Sequence, residues 1–358
     1  MKTKSYGLDI IRIISSLLVF IPHIFISFAE NKYVVKNAYV ISAIGVELFF
    51  CLSGYLICKI GLEVIRSEKN IFLNAGVFII RRIGRTWPAY FFALLSYIIF
   101  YKFFEKEILY YIFFAQNLYF PMVSENFFEV SWSICVEEAF YIIFPLVLCL
   151  ITFSIRYCLN LDFKPSTFII ISSILIMFTV FLLREFHIYL EWGRELRRTS
   201  LFRIDAIAFG GLGYFFMSYV KKIKILNSLL LISALLSFMI AYNELYQYSL
   251  NAKFNNTGLE KNYIFYIIYF FSLSIIGYAD RKILTTSSFL KTKISEIANL
   301  SYPLYLMHIL VIDFTKSFGI NNQILNISII FLLSLGTALF IRRHIEEPFI
   351  RVRPRFFK

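Results

Sequence analysis

Long apolar segments recur along the whole of this 358-residue chain. About 20 apolar residues in a helix cross the roughly 30 Å of hydrocarbon in a bilayer, and windows of that length occur about ten times. Because backbone groups in lipid must find their hydrogen-bond partners within the chain, such segments are expected to be helices. The composition agrees, with 59% hydrophobic and only 16% charged residues. The sequence therefore predicts an all-α, polytopic integral membrane protein with about ten transmembrane helices in one bundle.

The predicted spans leave little room between them for a second folded unit, so we expect residues 1–358 to form a single membrane domain. Asp9 and Arg12 interrupt the first apolar segment, which argues against a cleavable signal peptide. A shorter apolar segment, 108–120, is expected to be re-entrant or interfacial, and 71–83 to form an amphipathic helix along the inner interface. The predicted spans lie at approximately 10–29, 38–60, 87–104, 131–153, 167–183, 201–219, 225–242, 262–279, 299–316 and 323–342.

Basic residues are distributed unevenly between alternate loops. With the amino terminus inside, the inner segments carry 23 of the 36 lysine and arginine residues. Because basic residues favour cytoplasmic loops, the sequence predicts a multi-pass protein of the inner (plasma) membrane with both termini cytoplasmic. The formal net charge of +13 is then mainly a topology signal, so the lipid bilayer and not nucleic acid is the expected partner.

The first span contains two ionisable side chains, Arg12 and His23, eleven residues apart. Both lie on one helix face, with Asp9 and Ser16, about 16 Å from each other along the axis. Ionisable groups inside a span are costly and are functional candidates by default. Histidine can accept and return a proton near neutral pH, as general base catalysis on a hydroxyl requires, although it can also serve as an interhelical hydrogen bond. We expect Arg12 and His23 to line one water-filled crevice.

Two further patterns place polar groups towards opposite ends of the predicted bundle. Arg82 and Arg85 lie one turn apart and either bind phosphate as a fork or anchor the chain at the inner interface. Ser133, Glu137 and Tyr141 recur at four-residue spacing near the outer end of a span. The carboxylate could orient a histidine, hold a sugar hydroxyl or assist proton transfer, whereas the alternative is an ordinary helix-start pattern.

Other polar residues fall inside spans. Arg203 and Asp205 open one span and form either an internal ion pair or a substrate contact, and the glycines that follow suit close helix packing. His308 lies in the middle of another span and is a second candidate for polar chemistry, while Glu47 is expected to pair with a neighbouring basic group. No two histidines lie at metal-binding helical spacing, so no metal site is predicted. The five cysteines are interpreted as small buried side chains.

Seven short motifs occur in one order along nearly the whole chain. They are GLDIIR at 7–12 followed by His23, ELFFCLSGYLI at 47–57, RIGR at 82–85 followed by Pro88, WSICVEEAFY at 132–141 followed by Pro145, RID with a glycine pair at 203–211, SYPLYLMH at 301–308, and EEPF at 346–349. Together they resemble the acyltransferase-3 family of integral membrane acyltransferases, which acylate hydroxyls of cell-surface glycans and some small molecules. Two departures are Ile134, where leucine is usual, and the absence of the proline that often follows the last histidine.

The resemblance implies a ten-helix acyltransferase core with acyl-CoA, commonly acetyl-CoA, as the donor substrate and an acceptor at or beyond the outer face. By similarity, His23 and Arg12 are essential to catalysis, Arg82 and Arg85 face the donor, and Glu137 belongs to the essential motif. No permanently bound cofactor is expected, nor is the hydrolase-like domain that some relatives carry.

The predicted function is therefore transfer of an acyl group, in the first place acetyl, from cytosolic acyl-CoA to a saccharide hydroxyl. The acceptor would be a cell-envelope saccharide of the O-antigen, capsule or exopolysaccharide type. His23 would either deprotonate the hydroxyl or carry the acyl group itself. The alternatives are a proton-coupled transporter or flippase of a saccharide, which also needs ionisable groups inside a bundle, and a structural partner in an envelope complex.

Overall fold

Helices follow one another along the chain, and the described residues contain no strand. The computed structural model describes residues 5–65, 71–119, 127–187, 189–220, 223, 225–251, 258–281, 287–352 and 354. Its α-helices are α1 (Tyr6–Phe28), α2 (Lys32–Ile65), α3 (Ile71–Tyr101), α4 (Ile108–Ile112), α5 (Ser131–Phe153), α6 (Pro165–Phe186), α7 (Ile204–Tyr219), α8 (Leu226–Asn251), α9 (Gly258–Arg281), α10 (Ser288–Asn299), α11 (Ser301–Lys316), α12 (Gln323–Ile341) and α13 (Glu347–Arg351).

The membrane-spanning character of the chain is evident from the length and apolarity of these helices. Within the described ranges, nine helices are long and apolar enough to cross a membrane. The pair α10 and α11 is bent by 47° at its break and makes a tenth span if the two cross together. The prediction of an all-α, multi-pass membrane bundle is therefore confirmed.

The amphipathic helix predicted over 71–83 is present as the first half of α3, continuous with the span that follows it. Residues 71–101 form one continuous helix, and Pro88 lies inside it without ending it. Asn74, Phe78 and Arg82 are buried at four-residue spacing. α3 packs on the neighbouring α2 and α5, whereas Phe72, Leu73 and Ile80 on the same part of the helix are exposed.

The segment that follows α3 does not span the membrane, in line with its short apolar length. α4 is little more than one turn, and the loop after it enters the bundle at Asn117, whose side chain is buried. The Asn117 amide donates to the carbonyl oxygens of Trp132, at 2.9 Å, and Arg198, at 2.5 Å. One amide thus ties this loop to the start of α5 and to the segment before α7.

The helices α2 and α7 cross at backbone contact. A Cβ atom on Gly54 would lie 1.7 Å from the carbonyl oxygen of Ile207, and one on Gly210 would lie 2.0 Å from the carbonyl oxygen of Cys51. Real side chains cannot occupy such positions, so only glycine permits this approach. The close packing that the sequence predicts for the glycines after Arg203 is present.

The cysteines follow the predicted pattern with one exception. All five are free thiols, and Cys51, Cys58, Cys135 and Cys149 are buried. Cys158 is exposed, so the interpretation as a buried side chain is wrong at this position. It lies in the turn of π-helix that continues α5 beyond its predicted end, where the chain leaves the apolar span.

Candidate active site

A cavity of about 370 Å³ lies between α1, α2, α3, α5 and α11. Its lining extends along α2 from Val46 to Ile60, which is about 21 Å at 1.5 Å per residue. The five helices contribute from separate parts of the chain, so the cavity is a product of tertiary packing. Six side chains singled out from the sequence line it: Arg12, Arg82, Arg85, Ser133, Glu137 and Tyr141.

The end of the cavity nearest the amino terminus of α1 is cationic. Arg12, Lys59, Arg82 and Arg85 all line the cavity; Arg82 is buried, whereas Lys59 and Arg85 are exposed. Arg82 and Arg85 both act electrostatically on Arg12. Like charges gathered in a space of low dielectric repel one another, and an anionic ligand would relieve that repulsion.

The guanidinium of Arg12 is held in place by a short chain of contacts. Its Nη1 donates to Asp9 Oδ1 at 3.1 Å, and the Ser295 hydroxyl on α10 donates to Asp9 Oδ2 at 2.7 Å. Asp9 is buried and does not line the cavity. The geometry thus gives Asp9 an orienting role, while Arg12 reaches the cavity.

Two adjacent carboxylates on α5 have different surroundings. Glu137 lines the cavity and accepts a hydrogen bond from the Tyr141 hydroxyl at 2.7 Å. Glu138 points elsewhere and accepts from the Thr86 hydroxyl at 2.7 Å and from Trp87 Nε1 at 3.0 Å. One residue of helix is about 100° of rotation, which separates the two environments. Glu137 is therefore available to a ligand, whereas Glu138 joins α3 to α5.

Tyr141 links the carboxylate to the cationic side chains. The guanidinium carbon of Arg82 lies 5.3 Å from the centroid of the Tyr141 ring, a cation–π distance. The Tyr141 hydroxyl is also 3.1 Å from Ser53 Oγ on α2. Contacts from three helices thus fix the position of Glu137. The predicted stripe of Ser133, Glu137 and Tyr141 forms one wall of the cavity.

The prediction that Arg12 and His23 line one crevice is wrong for this cavity, because Arg12 lies in its wall whereas His23 lies outside its lining. The imidazole is half-buried, and its Nδ1 is 2.7 Å from the carbonyl oxygen of Val19 on the same helix. Its ring meets that of His308 at 67°, with 5.0 Å between centroids. The hydrogen bond described for His23 therefore lies within α1 and does not join two helices.

His308 connects His23 with the cavity. It is fully buried, and its ring centroid lies 5.8 Å from that of Tyr305. The Tyr305 hydroxyl is 2.7 Å from Ser133 Oγ, and both of these side chains line the cavity. A continuous run of polar side chains therefore leads from the cavity wall to the two histidines.

Two loops bring further charges towards His23. Glu129, just before α5, and Arg197 and Arg198, before α7, all act electrostatically on the imidazole. Arg198 Nη2 lies 2.9 Å from Glu129 Oε1, so these two charges are paired. Arg197 lies with its guanidinium 5.0 Å from the centroid of the Trp132 ring.

Arg203 and Asp205 lie away from the cavity, in buried ion pairs formed with other residues and not with each other. Arg203 Nη2 donates to Glu47, and Arg184 Nη2 lies 2.5 Å from Asp205 Oδ1. The guanidiniums of Arg203 and Arg184 both pack on the Phe265 ring, at 4.0 and 4.3 Å from its centroid. The geometry agrees with the internal ion-pair interpretation, with different partners, and Glu47 has the basic neighbour that the sequence predicts.

Lys59 is a cavity residue that the sequence analysis assigned only to the orientation of the chain. It lies near the end of the apolar run of α2 and reaches the same cavity as the arginines. An ionisable residue at the edge of an apolar segment is the same signal that identified Arg12. Tyr305, which also lines the cavity, shares a helix face with the predicted candidate His308. Ser53 carried no signal of its own, because hydroxyl residues are common in membrane helices.

Comparisons with known proteins identify a family and several relatives. A family model described as an acyltransferase domain matches residues 5–343. O-acetyltransferase OatA of Staphylococcus aureus is 28% identical over 347 residues, covering 88% of this chain and 53% of that protein. YrhL of Bacillus subtilis, whose name proposes a peptidoglycan O-acetyltransferase, is 30% identical over 159 residues, covering 40% of this chain and 23% of that protein. The matches span about half, or less, of these relatives' own length. No solved structure matches the chain significantly.

Proposed function

Because the chain belongs to the acyltransferase-3 family, we propose that it is a membrane-embedded O-acyltransferase. The proposed reaction moves an acetyl group from cytosolic acetyl-CoA to a hydroxyl of a cell-envelope saccharide. Its main support is one cavity whose lining combines four cations with Glu137, Ser133 and Tyr305. The name of the relative YrhL, which mentions peptidoglycan, favours a cell-wall glycan as the acceptor.

The cationic end of the cavity suits the phosphates of the donor. Arg82 and Arg85 are the predicted phosphate fork, and Lys59 adds a flexible point charge at the same opening. Charge-assisted hydrogen bonds of this kind are among the stronger polar contacts in proteins. In this arrangement the pantetheine arm extends along α2, and the thioester reaches the middle of the cavity.

Arg12 and Glu137 are proposed to act on the reacting groups. As the acceptor oxygen attacks the thioester, negative charge develops on the carbonyl oxygen, and a fixed guanidinium stabilises that charge. Asp9 fixes Arg12, so little reorganisation is required during the reaction. Glu137 is proposed to orient the acceptor hydroxyl by accepting a hydrogen bond from the saccharide.

His23 is proposed as the general base that removes the proton of the acceptor hydroxyl. A covalent route, in which His23 itself carries the acetyl group, is the alternative chemistry for the same residue. Rapid mixing of the protein with labelled acetyl-CoA, without acceptor, separates the two. Label on the protein supports the covalent route, and its absence on the timescale of turnover supports direct transfer.

The proposed orientation puts both termini and the cationic end of the cavity on the cytoplasmic side of the plasma membrane. The unequal distribution of lysine and arginine between alternate loops supports it. Single cysteines introduced near either terminus should then be protected from a membrane-impermeant maleimide in intact cells and become reactive after permeabilisation. Reaction in intact cells would contradict this orientation.

The experiment that tests the proposed function uses purified protein in lipid nanodiscs, radiolabelled acetyl-CoA and cell-wall glycan fragments. We expect label in the glycan, released by mild alkali as an O-acetyl ester would be. Unlabelled glycan despite intact, CoA-binding protein would contradict the proposal. Exchange of saccharide across proteoliposomes without acetylation would instead support a transporter.

A further inference from the structure

The two histidines direct their Nδ1 atoms to backbone carbonyl groups of their own helices. His23 Nδ1 lies 2.7 Å from the Val19 oxygen, and His308 Nδ1 lies 2.7 Å from the Tyr305 oxygen. A carbonyl oxygen can only accept, so each neutral ring carries its hydrogen on Nδ1 and donates it. Each ring therefore retains a bare Nε2 that can accept a proton or a hydrogen bond. The pair offers two proton acceptors close together.

The Nε2 atom of His308 has no hydrogen-bond partner in the described part of the chain, although the side chain is fully buried. Three rings pack on it, those of Phe20, His23 and Tyr305. Phe20 has no polar side-chain atom, and the Tyr305 hydroxyl is already bonded to Ser133. Among these three rings, His23 is the polar neighbour that remains. A buried acceptor without a partner costs free energy. The unpartnered Nε2 of His308 therefore requires an explanation, and a functional role provides one.

We propose that His23 and His308 form a two-imidazole base, in which Nε2 of His308 accepts the hydrogen that His23 takes from the acceptor hydroxyl. This role rests on the proposed function. The saccharide O–H bond breaks, its oxygen bonds to the thioester carbonyl carbon, and the carbon–sulfur bond breaks. The proton, held between the two imidazoles, is returned to the departing sulfur, which leaves as the thiol of CoA. His308 acts through His23 and is a positioning residue.

A neutral partner suits the surroundings of His23. The imidazolium formed during the reaction needs a hydrogen-bond acceptor inside the bundle, because an unpaired charge there is costly. Glu129, the carboxylate that acts on His23, is already paired with Arg198. α12, which packs on the helix of His308, contains no ionisable residue. A second imidazole accepts the hydrogen without adding a permanent charge.

Substitution at His308 separates this role from a packing role. His308→Phe keeps a ring in the same space but has no nitrogen, whereas His308→Gln retains an amide oxygen that can accept the His23 N–H. We expect His308→Phe to lower kcat about 10- to 100-fold, the range for one hydrogen bond to a charged group, with both KM values unchanged. His308→Gln should restore part of kcat. Exposed His344 provides the control, since His344→Phe should retain wild-type kcat.

Full kcat in His308→Phe would overturn the inference. Equal losses of kcat in the Phe and Gln variants, together with loss of CoA binding, would also overturn it, because that result indicates a structural role. Failure of the wild-type protein to acetylate any saccharide would instead defeat the proposed function itself. Active wild-type protein with full kcat in His308→Phe defeats only the two-imidazole base.

A spectroscopic measurement tests the pairing without turnover. The chain has four histidines, so ¹⁵N-histidine labelling in nanodiscs gives few resonances. We expect two neutral rings with hydrogen on Nδ1 and a bare Nε2, and we expect His308→Phe to shift the His23 Nε2 resonance. The pairing would be contradicted if either neutral ring carried its hydrogen on Nε2. It would also be contradicted if the His23 Nε2 resonance were the same in His308→Phe as in the wild-type protein.

Discussion

The roles of individual charged side chains depend on how firmly their neighbours hold them. Arg12 is fixed by Asp9, and Arg82 lies against the Tyr141 ring. Lys59 and Arg85 reach the same cavity from exposed positions. We therefore expect Arg12 and Arg82 to hold a ligand in a fixed geometry, and Lys59 and Arg85 to attract its phosphates.

Removal of one exposed charge from the cavity opening is expected to weaken donor binding. Lys59→Gln and Arg85→Gln should each raise KM for acetyl-CoA about fivefold, since one partly solvated ionic contact contributes about 1 kcal/mol, and should leave kcat within about twofold. Steady-state kinetics at low and high salt measure KM, and the difference in KM between variant and wild-type protein should become smaller at high salt. The control is Arg343→Gln, an exposed basic residue outside the cavity. Equal KM effects in all three variants would point to general surface charge.

The adjacent residues Glu137 and Glu138 are expected to separate activity from stability. Glu137→Gln should lower kcat about 100-fold with an unchanged melting temperature, because a group that assists proton transfer or orientation is lost. Glu138→Leu should lower the melting temperature, since Trp87 Nε1 loses its acceptor at a cost of about 1–3 kcal/mol. Thermal unfolding and initial rates measure the two effects. A melting temperature lowered by Glu137→Gln, with kcat retained, would reverse the assignment.

The sequence could predict side chains that share a helix face but not those that meet across helices. Ser133, Glu137 and Tyr141 line one wall because their spacing within one helix fixes a common direction. The contact of Ser133 with Tyr305 joins residues 172 positions apart, and that of Arg203 with Glu47 joins residues 156 apart. Such contacts depend on which helices become neighbours, and a single sequence does not contain that information.

At the scale of the helices, the crossing of α2 and α7 supports the cavity wall. Gly54 lies on α2 between the cavity residues Ser53 and Leu56, directly against α7. A displaced α2 would move the part of the cavity lining that extends from Val46 to Ile60. The glycine contacts are therefore expected to affect both stability and donor binding.

Substitution of the crossing glycines should destabilise the protein strongly. Gly54→Val or Gly210→Val would place a side chain within 1.7 or 2.0 Å of a carbonyl oxygen, so we expect a loss of at least about 1–3 kcal/mol, the usual cost of overpacking. Gly336→Ala is the matched control, because its Cβ meets nothing within 4 Å. Thermal melting in detergent and size-exclusion profiles measure the effect. A Gly210→Val protein as stable as the control would contradict the observed crossing.

The existence of most helices was predictable from the sequence, whereas their ends and joins were not. The limits of α5 agree with the prediction because the apolar segment and the helix coincide there. α2 continues from Lys32 to Ile65, beyond the predicted 38–60, since backbone hydrogen bonds extend a helix past the hydrocarbon. In α3, the amphipathic start and the apolar end belong to one helix. The prediction treated them as two segments, because hydropathy falls at the arginines between them.

At the scale of the whole molecule, donor and acceptor are proposed to bind at opposite ends of one polar path. The cationic side chains lie towards the amino terminus of α1, and the two histidines lie in its second half and beside it on α11. Arg12 and His23 are about 16 Å apart along α1, so a thioester extending from the cationic end approaches the histidines inside the bundle. The two substrates would then meet without either crossing the membrane.

A sided assay tests that claim most directly. Proteoliposomes of one orientation would hold radiolabelled acetyl-CoA on the side of the amino terminus and the glycan acceptor on the other side. We expect labelled ester on the glycan in wild-type vesicles, about 100-fold less with His23→Ala because a general base is lost, and an unchanged amount with His344→Ala. Ester formed only when both substrates share one side, or formed equally by His23→Ala, would contradict the account.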